Sequence, residues 1–140
     1  MNDADLLQAF ESCRLTPTDF RHREHLRMAY LYLMRYPFEE AHAYFEAGVQ
    51  RLLAHLGAPA SHYHPTITRA WFLAVHHFLQ RKGAKETFEQ FLAAPCTASR
   101  LLDQQIMLTH HSAERLFSAT ARTGFIEPDL DPIPPYACLN

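Results

Sequence analysis

Apolar residues recur in this chain at the three-and-four spacing of a helix almost from end to end. No stretch alternates strictly between apolar and polar residues with hairpin-type turns at its ends. That pattern predicts an all-α fold. A first helix over 3–13 places Leu6, Leu7, Phe10 and Cys13 on one side, and Thr16-Pro17-Thr18-Asp19 then breaks it and offers a helix-starting oxygen. A second runs over 20–36, stopped by Pro37, and a third from Pro37 through Leu56, closed by Gly57, burying Phe38, Ala41, Phe45, Leu52, Leu53 and Leu56. A fourth, over 65–82, buries Ile67, Trp71, Ala74, Val75 and Phe78 and is capped by Gly83. Shorter helices are expected over 86–93, 99–108 and 112–123. Beyond Gly124, Pro128, Pro132, Pro134 and Pro135 preclude a regular helix, whereas Phe125, Ile126, Leu130, Ile133 and Tyr136 are apolar enough to pack. The expectation is therefore a single-domain helical bundle over 1–140, with six to seven helices and an extended proline-rich C-terminal strap over 124–140.

A length of 140 residues suits one domain, so any chemistry must share one core. With 13 Lys+Arg against 15 Asp+Glu, the chain carries no basic field for a phosphate backbone or an anionic membrane surface. No apolar run approaches the length that crosses a bilayer, and the acidic Met1-Asn2-Asp3-Ala4-Asp5 start is unlike a signal peptide. Cys13, Cys96 and Cys138 are odd in number and lack any Cys-x-x-Cys spacing, which argues against a disulfide framework or a cysteine zinc site. A cytoplasmic protein without nucleic-acid or membrane partners is expected.

Function is to be sought among the ten histidines. At about 100° per residue, His22, His25, Leu26, Ala29, Tyr30 and Leu33 share one face of the second helix, with Glu24 and Arg27 on the solvated side. Running the fourth helix's stripe back one turn reaches His64, beside Pro65. If the starts of these two helices adjoin, His22, His25 and His64 converge on one point. Neutral imidazole is a common ligand for zinc, copper and iron, and three leave a coordination position open for water or substrate. No carboxylate has the spacing of a two-histidine-one-carboxylate triad or a His-Glu-x-x-His motif. The competing reading makes each ring a hydrogen-bonded core histidine, with His64 a helix cap. Tyr63, Thr66 and Trp71 are the candidate pocket wall and Arg122 a candidate anion contact. His42 and His55 read as helix-surface residues. Each of the pairs His76-His77 and His110-His111 has room for at most one inward ring, which makes them surface or supporting residues, and His62 stays open.

Three segments carry a resemblance: Phe20-Arg21-His22-Arg23-Glu24-His25-Leu26, Tyr63-His64-Pro65-Thr66-Ile67-Thr68-Arg69-Ala70-Trp71, and Glu127-Pro128-Asp129-Leu130-Asp131-Pro132. Together they resemble a family of small, uncharacterised bacterial all-α proteins with Phe-x-His-x-x-His and Tyr-His-x-Thr motifs. Those motifs fall on Phe20, His22, His25, Tyr63, His64 and Thr66. A later block of that family matches Ser112, Leu116, Ser118, Ala121 and Arg122, with tyrosine often standing where this chain has His111. The resemblance implies a choice of residues and no reaction.

Two functions follow as expectations. In the first, His22, His25 and His64 hold one iron, copper or zinc ion in an enzyme acting on a small molecule. Iron and oxygenase-type chemistry are favoured over hydrolysis, because an all-histidine site in an apolar bundle suits dioxygen. In the second, the protein is a metal-free ligand-binding or protein-interaction module whose histidines lock the core.

Overall fold

The computed structural model describes residues 2–59, 62–85, 87–95, 97–131 and 133. Cys96, Cys138, Glu86 at the expected start of the fifth helix, and most of the strap beyond Asp131 lie outside them, including Pro132, Pro134, Pro135 and Tyr136. The fold is all-helical, with no strand among the described residues. It divides into two compact units, Met1–Tyr63 and His64–Asn140.

The first unit holds α1 (Asp3–Glu11), α2 (His22–Arg35) and α3 (Phe38–His55). The Asn2 side chain accepts the Asp5 N–H at 2.7 Å, and Asp3 and Asp5 place negative charge in the first turn of α1, where the helix dipole favours it. Phe10 is fully buried at the centre, with the rings of Phe20, Phe45 and Tyr32 at 5.3, 6.0 and 6.2 Å from its own. α2 touches both α1 and α3, so its buried face is wider than one stripe. Met28 and Tyr32 are buried with Leu26, Ala29 and Tyr30, and Leu33 is only half-buried. On α3, Gly48, Val49 and His42 turn inward with Ala41, Phe45 and Leu52, whereas Leu56 is exposed.

The second unit is arranged on α4 (Pro65–Lys82), which contacts α6 (Thr97–Leu101), a 3-10 turn (Gln104–Thr109) and α8 (Ala119–Thr123). α5 (Phe88–Leu92) packs on α6, and α7 (Ala113–Leu116) precedes α8. Their core is Ala70, Phe72, Ala74, Val75, Phe78, Phe88, Phe91, Leu101, Ile106, Met107, Leu116 and Ala121. Neighbours on more than one side of α4 turn Ala70 and Phe72 fully inward and leave the expected stripe residues Ile67 and Trp71 half-buried. α4 ends at Gly83, whose φ of 82° is a conformation other residues avoid.

The helices expected over 99–108 and 112–123 are each two short pieces, because polar side chains restart the chain. Asp103 accepts the Gln105 N–H at 3.0 Å and opens the 3-10 turn. Ser112 and Ser118 accept the Arg115 and Ala121 N–H groups, each at 3.2 Å, and start α7 and α8. After Gly124 the described chain is irregular, as the prolines require.

Gly48 tests the first unit's packing. A Cβ there would lie 2.6 Å from Phe10 Cζ, inside van der Waals contact with a ring that has no space to retreat. Gly48→Ala is expected to lower stability by about 1–3 kcal/mol in urea unfolding, although alanine is the better helix former.

Candidate functional site

The expected ligands His22 and His25 lie in the first turn of α2. The turn is fastened by Glu24, whose carboxylate accepts the Arg21 N–H at 3.1 Å, so this glutamate closes the helix start and is not a merely solvated charge. His25 stacks on Phe20 at 4.0 Å between centroids and meets Phe45 edge-on at 6.2 Å. Burial, reinforced by the neighbouring His22, lowers its pKa to about 4. At neutral pH His25 is an uncharged member of the aromatic core around Phe10.

His64 precedes α4 and is buried. Its Nδ1 accepts the Ile67 N–H at 3.2 Å, and its Nε2 lies 2.9 Å from the Leu116 carbonyl. An N–H can only donate and a carbonyl can only accept, so Nδ1 is bare and Nε2 carries the proton. The ring is a neutral imidazole with both nitrogens occupied by the chain. Burial pushes its pKa down, as do the charges of Arg122 and His111, against the raising effect of the Leu116 bond.

The expected pocket wall is similarly engaged. The Tyr63 hydroxyl donates to Glu46 at 2.5 Å. Thr66 is fully buried; its hydroxyl proton lies between the carbonyls of Ala121 (2.8 Å) and Gly124 (3.0 Å), and its oxygen accepts the Ile126 N–H at 3.2 Å. Trp71 is half-buried on α4, and Arg122 is exposed on α8. Among the described residues, no three of His, Cys, Asp or Glu are grouped to hold a metal ion. A depression of about 370 Å³ in the first unit is lined by Ala4, Leu7, Gln8, Glu11, Ser12 and Arg35, and none of the expected pocket residues contributes to it.

Other histidines depart from the sequence expectation. His42 is buried on α3 rather than on its surface, parallel to Phe38 at 6.3 Å. His110 and His111 are both buried, at 2% and 0% exposure, where at most one ring was expected inside. They fall between the 3-10 turn and α7, so helical spacing does not hold there and both rings can point inward. His110 Nδ1 donates to the Asp131 carbonyl and His111 Nε2 to the Ile126 carbonyl, each at 2.9 Å. Nδ1 of His111 is buried and makes no hydrogen bond. His76 and His77 are half-buried, and burial lowers both pKa values. His55 and His62 are exposed.

Comparison with family models, curated proteins and solved structures finds no match to the chain. The site is therefore read from its own geometry.

His25 sets a pH dependence. Its folded pKa of about 4 lies below the unfolded value of 6.5, so its neutral form is favoured by folding. The contribution is fully present above pH 6.5 and is lost as pH falls towards 4, to a limit of about 3 kcal/mol. Urea midpoints at pH 7 and pH 4.5 should differ markedly less in His25→Phe than in the wild-type protein.

Proposed function

We propose that this protein is a metal-independent protein-interaction module whose buried histidines serve the fold rather than an ion. The observation that carries this reading is the engagement of His64. A metal ligand must offer a lone pair. The Nδ1 lone pair of His64 is taken by the Ile67 N–H, and its Nε2 is protonated against the Leu116 carbonyl. Coordination through either nitrogen would release a backbone group in a buried setting, at a cost of about 1–3 kcal/mol. The polar atoms of Tyr63 and Thr66, which a small-molecule pocket would require, are likewise bonded within the chain. A small molecule seated there would have to displace those bonds.

Elemental analysis of untagged protein is the test. The reading expects less than about a tenth of an equivalent of iron, copper or zinc, and a melting temperature unchanged by chelator. His64→Ala should lower stability by about 2–4 kcal/mol through loss of a cap and abandonment of a buried carbonyl. His64→Asn, which retains a capping oxygen, should recover part of that loss. Stoichiometric metal uptake abolished by His22→Ala, His25→Ala or His64→Ala would instead establish the three-histidine enzyme reading.

A further inference from the structure

The segment 125–131 is held in the manner of a bound peptide, mostly through its main chain. The Ile126 N–H donates to Thr66 Oγ1 at 3.2 Å, and the Ile126 carbonyl accepts from His111 Nε2 at 2.9 Å. The Glu127 carbonyl accepts from Arg115 Nε at 2.5 Å, and the Asp131 carbonyl accepts from His110 Nδ1 at 2.9 Å. Between them the Leu130 N–H donates to the His110 carbonyl at 2.8 Å. Two side chains add identity. Phe125 lies under the Arg69 guanidinium at 5.5 Å and against the His111 ring. The Asp129 carboxylate accepts from the Ser112 N–H at 2.8 Å and from its hydroxyl at 2.7 Å. Those bonds hold its carboxyl below the usual range, with a smaller contribution from Arg115.

We propose that the surface formed by Thr66, Arg69, His110, His111, Ser112 and Arg115 is a docking groove for an extended acidic peptide of a partner protein, kept closed in the free chain by segment 125–131. The proposal rests on the interaction-module reading and names the partner class.

Three observations support it. Main-chain recognition does not depend on which chain supplies the backbone, and pockets at intervals then set specificity. Charge is complementary at the Asp129 position, whose carboxylate is stabilised by the Arg115 guanidinium as well as by Ser112. The latch is also weakly packed. Glu127, Asp129, Leu130 and Asp131 are exposed, Leu130 at 55%, and Gly124 at its root has no atom within 4 Å of where a Cβ would stand. Phe125, Ile126 and Pro128 are no more than half-buried, and such a segment opens at lower free energy than a core whose side chains are fully enclosed. A partner carrying an aromatic-aliphatic pair followed by an aspartate three residues on would fit the same contacts. The resident segment acts as an internal competitor and weakens its apparent affinity.

The probe is a fluorescent peptide of residues 124–131, Gly-Phe-Ile-Glu-Pro-Asp-Leu-Asp, titrated against the full chain by anisotropy. Asp129→Ala in the protein loosens the resident segment without altering the groove. It should bind the peptide roughly tenfold or more tighter than wild type with no change of oligomeric state. The same peptide with alanine at the Asp129 position should lose about tenfold. Absence of saturable binding to the variant, or indifference to the peptide's aspartate, overturns the proposal. A variant that dimerises by exchanging segments overturns the commitment to a separate partner.

Amide exchange in the wild-type protein covers the case in which the variant does not fold. Ile126 and Leu130 should exchange at least about tenfold faster than Phe72 of α4; equal rates mean that the segment opens only with the core, and the proposal fails. Metal content is read separately, so loss of the groove proposal leaves the interaction-module reading standing, and stoichiometric metal removes that reading whatever the peptide does.

Discussion

The imidazole of His64 meets two demands at once, and the second unit is arranged around that fact. It ends the extended approach to α4 by accepting the Ile67 N–H, and it reaches the Leu116 carbonyl at the close of α7. Two residues along, Thr66 does the same for α8 through the Ala121 and Gly124 carbonyls. α7 and α8 have four and five residues, far below the length at which a helix is stable alone in water. They persist because their last carbonyls are received by side chains of the first turn of a long helix, and because Leu116 and Ala121 are buried. The histidine and the threonine are thus part of the backbone hydrogen-bond accounting of elements more than fifty residues away, His64 of Leu116 and Thr66 of Ala121.

That role explains what the sequence discloses and what it conceals. The four long helices are legible because apolar period and Pro/Gly punctuation act within a few residues of one another, and α4 lies where Pro65 and Gly83 place it. Periodicity also rightly turns His64 towards the interior. It says which way a side chain faces and nothing about its partner, and a carbonyl 52 residues distant leaves no local trace. The same blindness covers His42, whose neighbour Phe38 makes an apparently wet position apolar. The splitting of the shorter helices has a local signal in Asp103 and Ser118, each a good helix starter inside an apolar-periodic stretch. The His110-His111 doublet escapes helical spacing because it falls at the junction where the 3-10 turn ends and α7 has not begun.

An imidazole that binds metal and one that locks a core begin alike, with one N–H given to a carbonyl. What separates them is the other nitrogen. In His64 it receives the Ile67 N–H, so both ring nitrogens are engaged within the chain. In His111 it is a buried lone pair, while the ring meets Phe125 edge-on and gives its Nε2 proton to the Ile126 carbonyl.

A segment retained through its main chain is exchangeable in a way that a core helix is not. Replacing a buried helix requires matching many side-chain volumes to native packing density. Replacing an extended segment requires the same carbonyls and N–H groups, which any chain supplies, and agreement at only two positions, the aromatic under Arg69 and the carboxylate on Ser112. Selectivity is then set by what those positions reject. A lysine at the Asp129 position would leave Ser112 without its acceptor and face Arg115 as a like charge, so the proposed groove would disfavour a basic residue there.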